Sequence, residues 1–329
     1  MLDCIKNNAF RIVGTSVNAK ARERIANISK IKAYLRVNKP ISFPLDMSQN
    51  LGDPVRVLST IDNVASNLAF PQEYLKNSLF WIYTLTDKQK EAAELIGNKN
   101  IKAAKEIYAS ESDFASLISL ATIAFSQKNN IQALKTLNIL VDNDEARNGY
   151  ISYLAEENPQ IVLDKEQLKS VIVENLLGSI PANELIKIYA GLNKAKKNPL
   201  NQEMIELVQE KNADIIAKRI TKMLKNIEQK YPEGSPDSFK YCVESFPALT
   251  NELRFLGKSL GDLSARYRNA ADDIGETVLT ITAAFINNED FSYSEWNRAV
   301  SLLTKVKSMV FSEQLKNHCE KALDTLSGF

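Results

Sequence analysis

The chain has 329 residues, 44% hydrophobic and 25% charged, so it is long enough for two or three domains and too apolar to remain disordered. Lys and Arg total 41 against 40 Asp and Glu, and a net charge of +1 excludes whole-surface attraction to nucleic acid or anionic membrane. Electrostatic recognition therefore has to be local.

Only 11 Gly and 10 Pro interrupt apolar residues that recur at spacings of three and four, the pattern of an all-α chain. Asn18 is placed to cap a helix beginning near Ala19, in which Ile25, Ile28, Ile31 and Leu35 form one apolar stripe. That helix should end near Asn38-Lys39, because Pro40 disfavours a helical residue before it. A loop from Pro40 to Pro54 holds Phe43-Pro44-Leu45-Asp46 and Gly52, and a second helix is expected from about Val55 to Leu68. Pro71 suits the first turn of the next helix, which the periodicity carries through Leu75, Leu79 and Ile82.

From Asp87 the helices shorten. Asn100-Ile101-Lys102-Ala103-Ala104-Lys105-Glu106-Ile107 aligns with Asn130-Ile131-Gln132-Ala133-Leu134-Lys135-Thr136-Leu137 at an offset of 30 residues, the self-similarity of stacked helical pairs. A break is expected between Gly191 and Asn201, and a stronger one at Tyr231-Pro232-Glu233-Gly234-Ser235-Pro236, whose Pro and Gly residues cannot continue a helix. Beyond it, Leu249 to Ile286 reads as one or two long helices and Trp296 to Leu326 as another pair, although Gly257, Gly261 and Gly275 weaken helix propensity in the first. Three regions follow: an N-terminal helical module at 1–85, a helical-repeat, TPR-like region at 86–230 and long C-terminal helices at 231–329.

Between Ala19 and Lys39 stand seven basic residues (Lys20, Arg22, Arg24, Lys30, Lys32, Arg36, Lys39) and one acid, Glu23, a local charge of +6. On a helical wheel Arg22 and Lys30 lie well away from the apolar stripe and Arg36 nearer its edge, which makes them, with Lys39, the candidate partner-binding residues. Phe10, Ile12, Val13, Gly14, Asn18, Ala19, Lys30 and Ile31, followed by the loop and the Pro71-bounded end, resemble a J domain in register, whereas Arg24 stands where that pattern has an aliphatic residue. The resemblance spans residues 7–81 and implies a module by which DnaJ-type co-chaperones dock on a heat-shock ATPase of the DnaK type. Counting without a gap from Ile12-Val13-Gly14, Arg36-Val37-Asn38 occupies the place of that family's His-Pro-Asp trigger. The basic docking helix is kept on this reading and the trigger is lost.

Little else in the chain suggests chemistry. No Gly-rich phosphate loop, metal-ligand spacing or nucleophile motif is present, so no enzyme, cofactor or metal is expected. The one histidine, His318, precedes Cys319, but neighbours on a helix point about 100° apart. Asp272, Asp273 and Glu276 read as exposed acids, Phe80, Trp81 and Tyr83 as core, and Arg266-Tyr267-Arg268 as a basic spot cancelled by nearby aspartates. Cys4, Cys242 and Cys319 are widely spaced and read as reduced thiols. With no apolar leader and no stretch near ~20 apolar residues, the expectation is a cytoplasmic protein without membrane contact. The function expected is a non-enzymatic, J-like adaptor with a protein partner. The alternatives are nucleic-acid binding through the basic N-terminal helix and a self-assembling helical scaffold.

Overall fold

The computed structural model describes residues 2–232, 234–287 and 292–327. Every regular element among them is helical, so the chain is all-α. It divides into two compact units, Met1–Val208 and Gln209–Phe329.

In the first unit, α1 (Asp3–Lys6) and α2 (Ala9–Val13) precede the long α3 (Ala21–Arg36). The Asn8 side chain caps α2 by accepting from the Phe10 amide at 3.0 Å, and Gly14 ends it in the left-handed region at φ 74°. Asn18 does not cap α3. Its Oδ1 accepts instead from the Thr84 amide at 2.8 Å and the Thr84 hydroxyl at 3.2 Å, so α3 starts at Ala21 with Lys20 in the cap position. The loop after α3 contains a 3₁₀ turn (Pro44–Asp46) and α4 (Ser48–Leu51), followed by α5 (Leu58–Asn67) and α6 (Pro71–Ser78). Pro71 opens α6 as its fixed φ suggests, but the helix stops at Ser78, short of Leu79 and Ile82. Leu79 to Tyr83 instead cross the core as a fully buried, non-helical segment. Several of its polar groups are met from other parts of the unit: Trp81 Nε1 donates to the Thr15 carbonyl at 2.9 Å, and the Tyr83 amide to Ser119 Oγ at 3.0 Å.

The same core continues through α7 (Asp87–Gly97), α8 (Ile101–Ala109), α9 (Phe114–Ser126), α10 (Asn130–Asp142), α11 (Asp144–Glu157), α12 (Lys165–Leu177), α13 (Ala182–Lys196) and the start of α14 (Pro199–Lys230). It includes residues on both sides of position 85, so the expected boundary there does not divide the unit. Helices α3 and α5 share only a small separate core of Ile12, Ile31 and Ile61, flanked by Ile28, Leu35 and Val64. The expected break near Lys197 is present as a left-handed residue, φ 48°, between α13 and α14.

The helical pairs α7/α8 and α9/α10 correspond at an offset of 29, not 30. Lys99 and Lys128 take equivalent left-handed conformations, φ 64° and 60°. The side chains that follow cap alike, Asn100 accepting from the Ala103 amide at 3.3 Å and Asn129 from the Gln132 amide at 3.1 Å. Burial agrees: Ile101 is 7% exposed, whereas Ile131, its counterpart at an offset of 30, is 53% exposed.

The second unit packs the later part of α14 with α15 (Pro236–Leu260), α16 (Ala265–Ile286), α17 (Tyr293–Met309) and α18 (Glu313–Ser327) around its own core. Helix α14 ends at Lys230 and α15 resumes at Pro236 under a Ser235 cap, so the Pro/Gly segment does break the helix. Gly275, unfavourable for a helix interior by propensity, is there for packing: a Cβ on it would lie 2.2 Å from Val310 Cγ1.

Candidate protein-docking surface

Arg22, Lys30 and Arg36 on α3, and Lys39 just after it, are all exposed. At about 100° per residue, Arg22, Ser29, Ala33 and Arg36 fall within about 60° of one another, opposite the buried Ile31. Lys30 lies about 80° round from Arg22 on the wheel. The exposed face thus alternates small residues, Ser29 and Ala33, with the cations Arg22 and Arg36, and Lys30 flanks it.

Ile25 departs from the expected stripe. It is 63% exposed, and Val37 beyond the helix end is 61% exposed. Helix α5, with 10 residues against 16 in α3, is shorter by roughly 9 Å and cannot cover the whole length of its neighbour. The uncovered apolar groups therefore stand among uncovered charges. Lys32 is neutralised by Asp62 at 2.5 Å, and Arg24 donates to the Ala19 carbonyl at 2.5 Å. Arg22, Lys30, Arg36 and Lys39 meet no carboxylate among the described residues; the Lys30 ammonium lies 5.8 Å from the centre of the Phe43 ring.

The loop behind this face is braced by charges that sequence reasoning overlooked. Arg56 binds both oxygens of Asp46, at 2.8 and 2.5 Å, and donates to the carbonyls of Ile12, Arg11 and Ile41. Arg11, wholly buried, donates to the carbonyls of Asp46 at 2.8 Å, Lys6 at 2.6 Å and Gly52. Burial pulls the Arg11 guanidinium below its ordinary pKa, the Asp46 charge opposes that shift, and Arg56 adds to it. Phe43 lies against Gly14, with the Arg56 guanidinium 4.9 Å from its ring centre. The available signal was a charged residue inside an apolar run, Phe10-Arg11-Ile12-Val13 and Val55-Arg56-Val57. Of Arg36-Val37-Asn38, Arg36 is the last residue of α3, Val37 follows, and Asn38 turns the chain with φ 51°.

Of the three cysteines, Cys242 and Cys319 are buried and Cys4 is partly so. Burial pushes the Cys242 thiol up to about 12 and the Cys4 thiol up to about 11. Cys319 is also raised by burial, against a smaller opposing pull from Lys307. A thiol nucleophile requires the opposite shift. Asp272 accepts from the amides of Phe311 at 2.7 Å and Ser312 at 3.1 Å and so anchors the turn into α18. Arg266 is held by Asp214 at 2.5 Å. Among the described residues no cluster of three metal-ligating side chains occurs, and no helix is long and apolar enough to cross a membrane. Compared with known proteins, the chain matches no family model, and neither a curated protein nor a solved structure is significantly similar to it.

Proposed function

We propose that this protein is a non-enzymatic adaptor that binds an acidic protein surface on the exposed face of α3. On this reading the N-terminal segment is a J-domain relative that keeps its docking helix and carries Arg36-Val37-Asn38 in place of the trigger. The observation that carries the proposal is the set of unpaired cations, Arg22, Lys30, Arg36 and Lys39, around exposed Ile25 and Val37. Exposed apolar side chains standing beside cations are the composition of a protein interface, whereas a phosphate backbone is met by cations and polar groups alone. The braced loop supports the reading, because a preorganised surface loses less conformational entropy on binding.

The test is binding of a DnaK-type chaperone, and of duplex DNA, to the full chain and to the R22E/K30E/R36E and I25S variants. The expected result is chaperone binding without stimulated ATP hydrolysis, weakened about tenfold or more (~1.4 kcal/mol) in both variants. Strong stimulation would refute the lost trigger, and absence of chaperone binding would refute the J-domain relationship. DNA binding that falls steeply with salt and ignores I25S would favour nucleic acid as the partner.

A further inference from the structure

The second unit has its own surface groove. Along α15, Val243, Phe246, Pro247, Thr250, Leu253 and Gly257 recur at spacings of three and four and line two adjoining cavities of about 590 and 850 Å³. Across from them, Tyr293, Asn297, Ser301, Lys305 and Met309 of α17 recur in the same way. The cavities share Phe246, Pro247 and Lys305, so they form one groove. Its near end is lined by Val243 and Tyr293 and its far end by Gly257 and Met309, so α15 and α17 run in the same direction along its walls. Tyr267 of α16 contributes to the lining at the far end. From Val243 to Lys258 the groove extends about 22 Å, the length of a helix of about fifteen residues.

The lining has a definite polarity. Val243, Pro247, Tyr293 and Met309 expose apolar surface over a floor of the core residues Phe246, Leu253 and Leu302, while Arg254, Lys258, Arg298 and Lys305 supply four cations. Among the described residues none of the four closes an ion pair, although Arg298 lies near enough to Glu295 on its own helix to help lower that carboxyl's pKa. Arg254 reaches only the Asn251 side chain at 2.7 Å and the Phe255 ring at 5.8 Å, and Lys258 lies 5.8 Å from the same ring. Asp262 is the one acid in the lining, against those four cations.

We propose that this groove is a second docking site, which takes an acidic amphipathic helix of a partner protein. The length suits a short helix, the apolar lining accepts one face of it, and the cations, above all Arg254, Lys258 and Lys305, are complementary to carboxylates along its edges. The site is on a different unit from the α3 face and shares no residue with it, so the two proposals stand or fall separately. Together they make the chain a two-site adaptor.

The experiment measures fluorescence anisotropy of labelled peptides of about fifteen residues on the full chain. One peptide carries Leu on one face and Glu on the flanks, and its control has Lys in place of every Glu. The Glu peptide is expected to bind at least about tenfold more tightly than the control, with that preference abolished or reversed by R254E/K305E. S301W, on the exposed wall, should block binding without changing charge, and the R22E/K30E/R36E variant should leave it intact. Circular dichroism of each variant establishes that the helices are retained. Equal binding of both peptides, no binding, or binding lost through the α3 variant but not the groove variants would overturn the proposal. Displacement of the Glu peptide by duplex DNA, or self-association of the chain that R254E/K305E abolishes, would overturn it in favour of those occupants.

Discussion

Arg56 and Asp46 form a two-pronged ion pair at 2.8 and 2.5 Å, with each side chain only 4% exposed. The pair ties the loop after α3 to α2, because Arg56 also holds the carbonyls of Arg11 and Ile12. Removing one partner from such a pair leaves a buried charge uncompensated, at a cost of about 3–5 kcal/mol. Asp46→Asn and Arg56→Met should each destabilise the first unit by that order in urea denaturation. The double variant D46L/R56M should recover only part of the loss, because Arg11 loses its counter-charge and the carbonyls of Ile12, Arg11 and Ile41 lose their donor. A cost below about 1 kcal/mol for D46N would show that the loop is held by other contacts.

Gly14 and Phe43 give a second, independent test of the same brace. Gly14 has φ +74°, and a Cβ placed on it would lie 2.3 Å from Phe43 Cγ. Gly14→Ala therefore combines a left-handed conformation costing about 1–2 kcal/mol with a steric clash of about 1–3 kcal/mol. G14A/F43A should regain the steric part only. Thermal denaturation of the four proteins separates the two contributions, and full rescue by F43A would rule out the conformational one.

These contacts show which parts of the structure were legible beforehand. The helices around Tyr231–Pro236 and the start of α6 followed from local chemistry, since Pro and Gly act within a turn of where they stand. Asn18 was legible as a side chain seeking an amide, but the amide it found belongs to Thr84, 66 residues away. The course of α6 failed similarly, because Leu79 to Tyr83 gain more from burial in the common core than from another helical turn. The basic face of α3 was legible from spacing and charge. Its exposed Ile25 was not, because that depends on how far α5 reaches.

The register of the helical pairs is tested at two adjacent asparagines. Asn129 caps α10, whereas the Asn130 side chain makes only a 3.5 Å contact with Glu184. Asn129→Ala should cost about 1 kcal/mol, as should Asn100→Ala at the equivalent cap of α8. Asn130→Ala should change stability by less than about 0.5 kcal/mol. Equal effects at 129 and 130 would favour the 30-residue alignment.

The three cysteines provide a chemical test of the non-catalytic reading. Burial raises each thiol, to about 11 at Cys4 and about 12 at Cys242, so each thiolate is scarce at neutral pH. A chromogenic disulfide reagent should react slowly with the native protein and rapidly with all three thiols after denaturation. Rapid native reaction of Cys319 would reopen the case for a His318-assisted nucleophile.

Lys169 on α12 is only 3% exposed and holds Glu166 at 2.7 Å and Glu203 of α14 at 2.6 Å. Burial opposes its charge, but hydrogen bonds and attraction from the two glutamates outweigh that penalty and raise its pKa above the ordinary 10.5. A raised lysine stabilises the fold fully below its unfolded pKa, and the contribution fades as pH rises through the folded value. Glu203 shifts the other way. The hydrogen bond from Lys169 lowers it below the ordinary 4.5 against opposing burial, so its contribution fades as pH falls through the folded value. The pair should therefore support the first unit across the neutral range and weaken at both extremes. Because both glutamates are more than half exposed, solvent screens the interaction, and Lys169→Met should change neutral stability by no more than about 1 kcal/mol. Its main effect should be a flatter profile of melting temperature against pH, at the acid and alkaline ends together, whereas Glu203→Gln should flatten chiefly the acid end. An unchanged alkaline limb in K169M would assign that limb to another group.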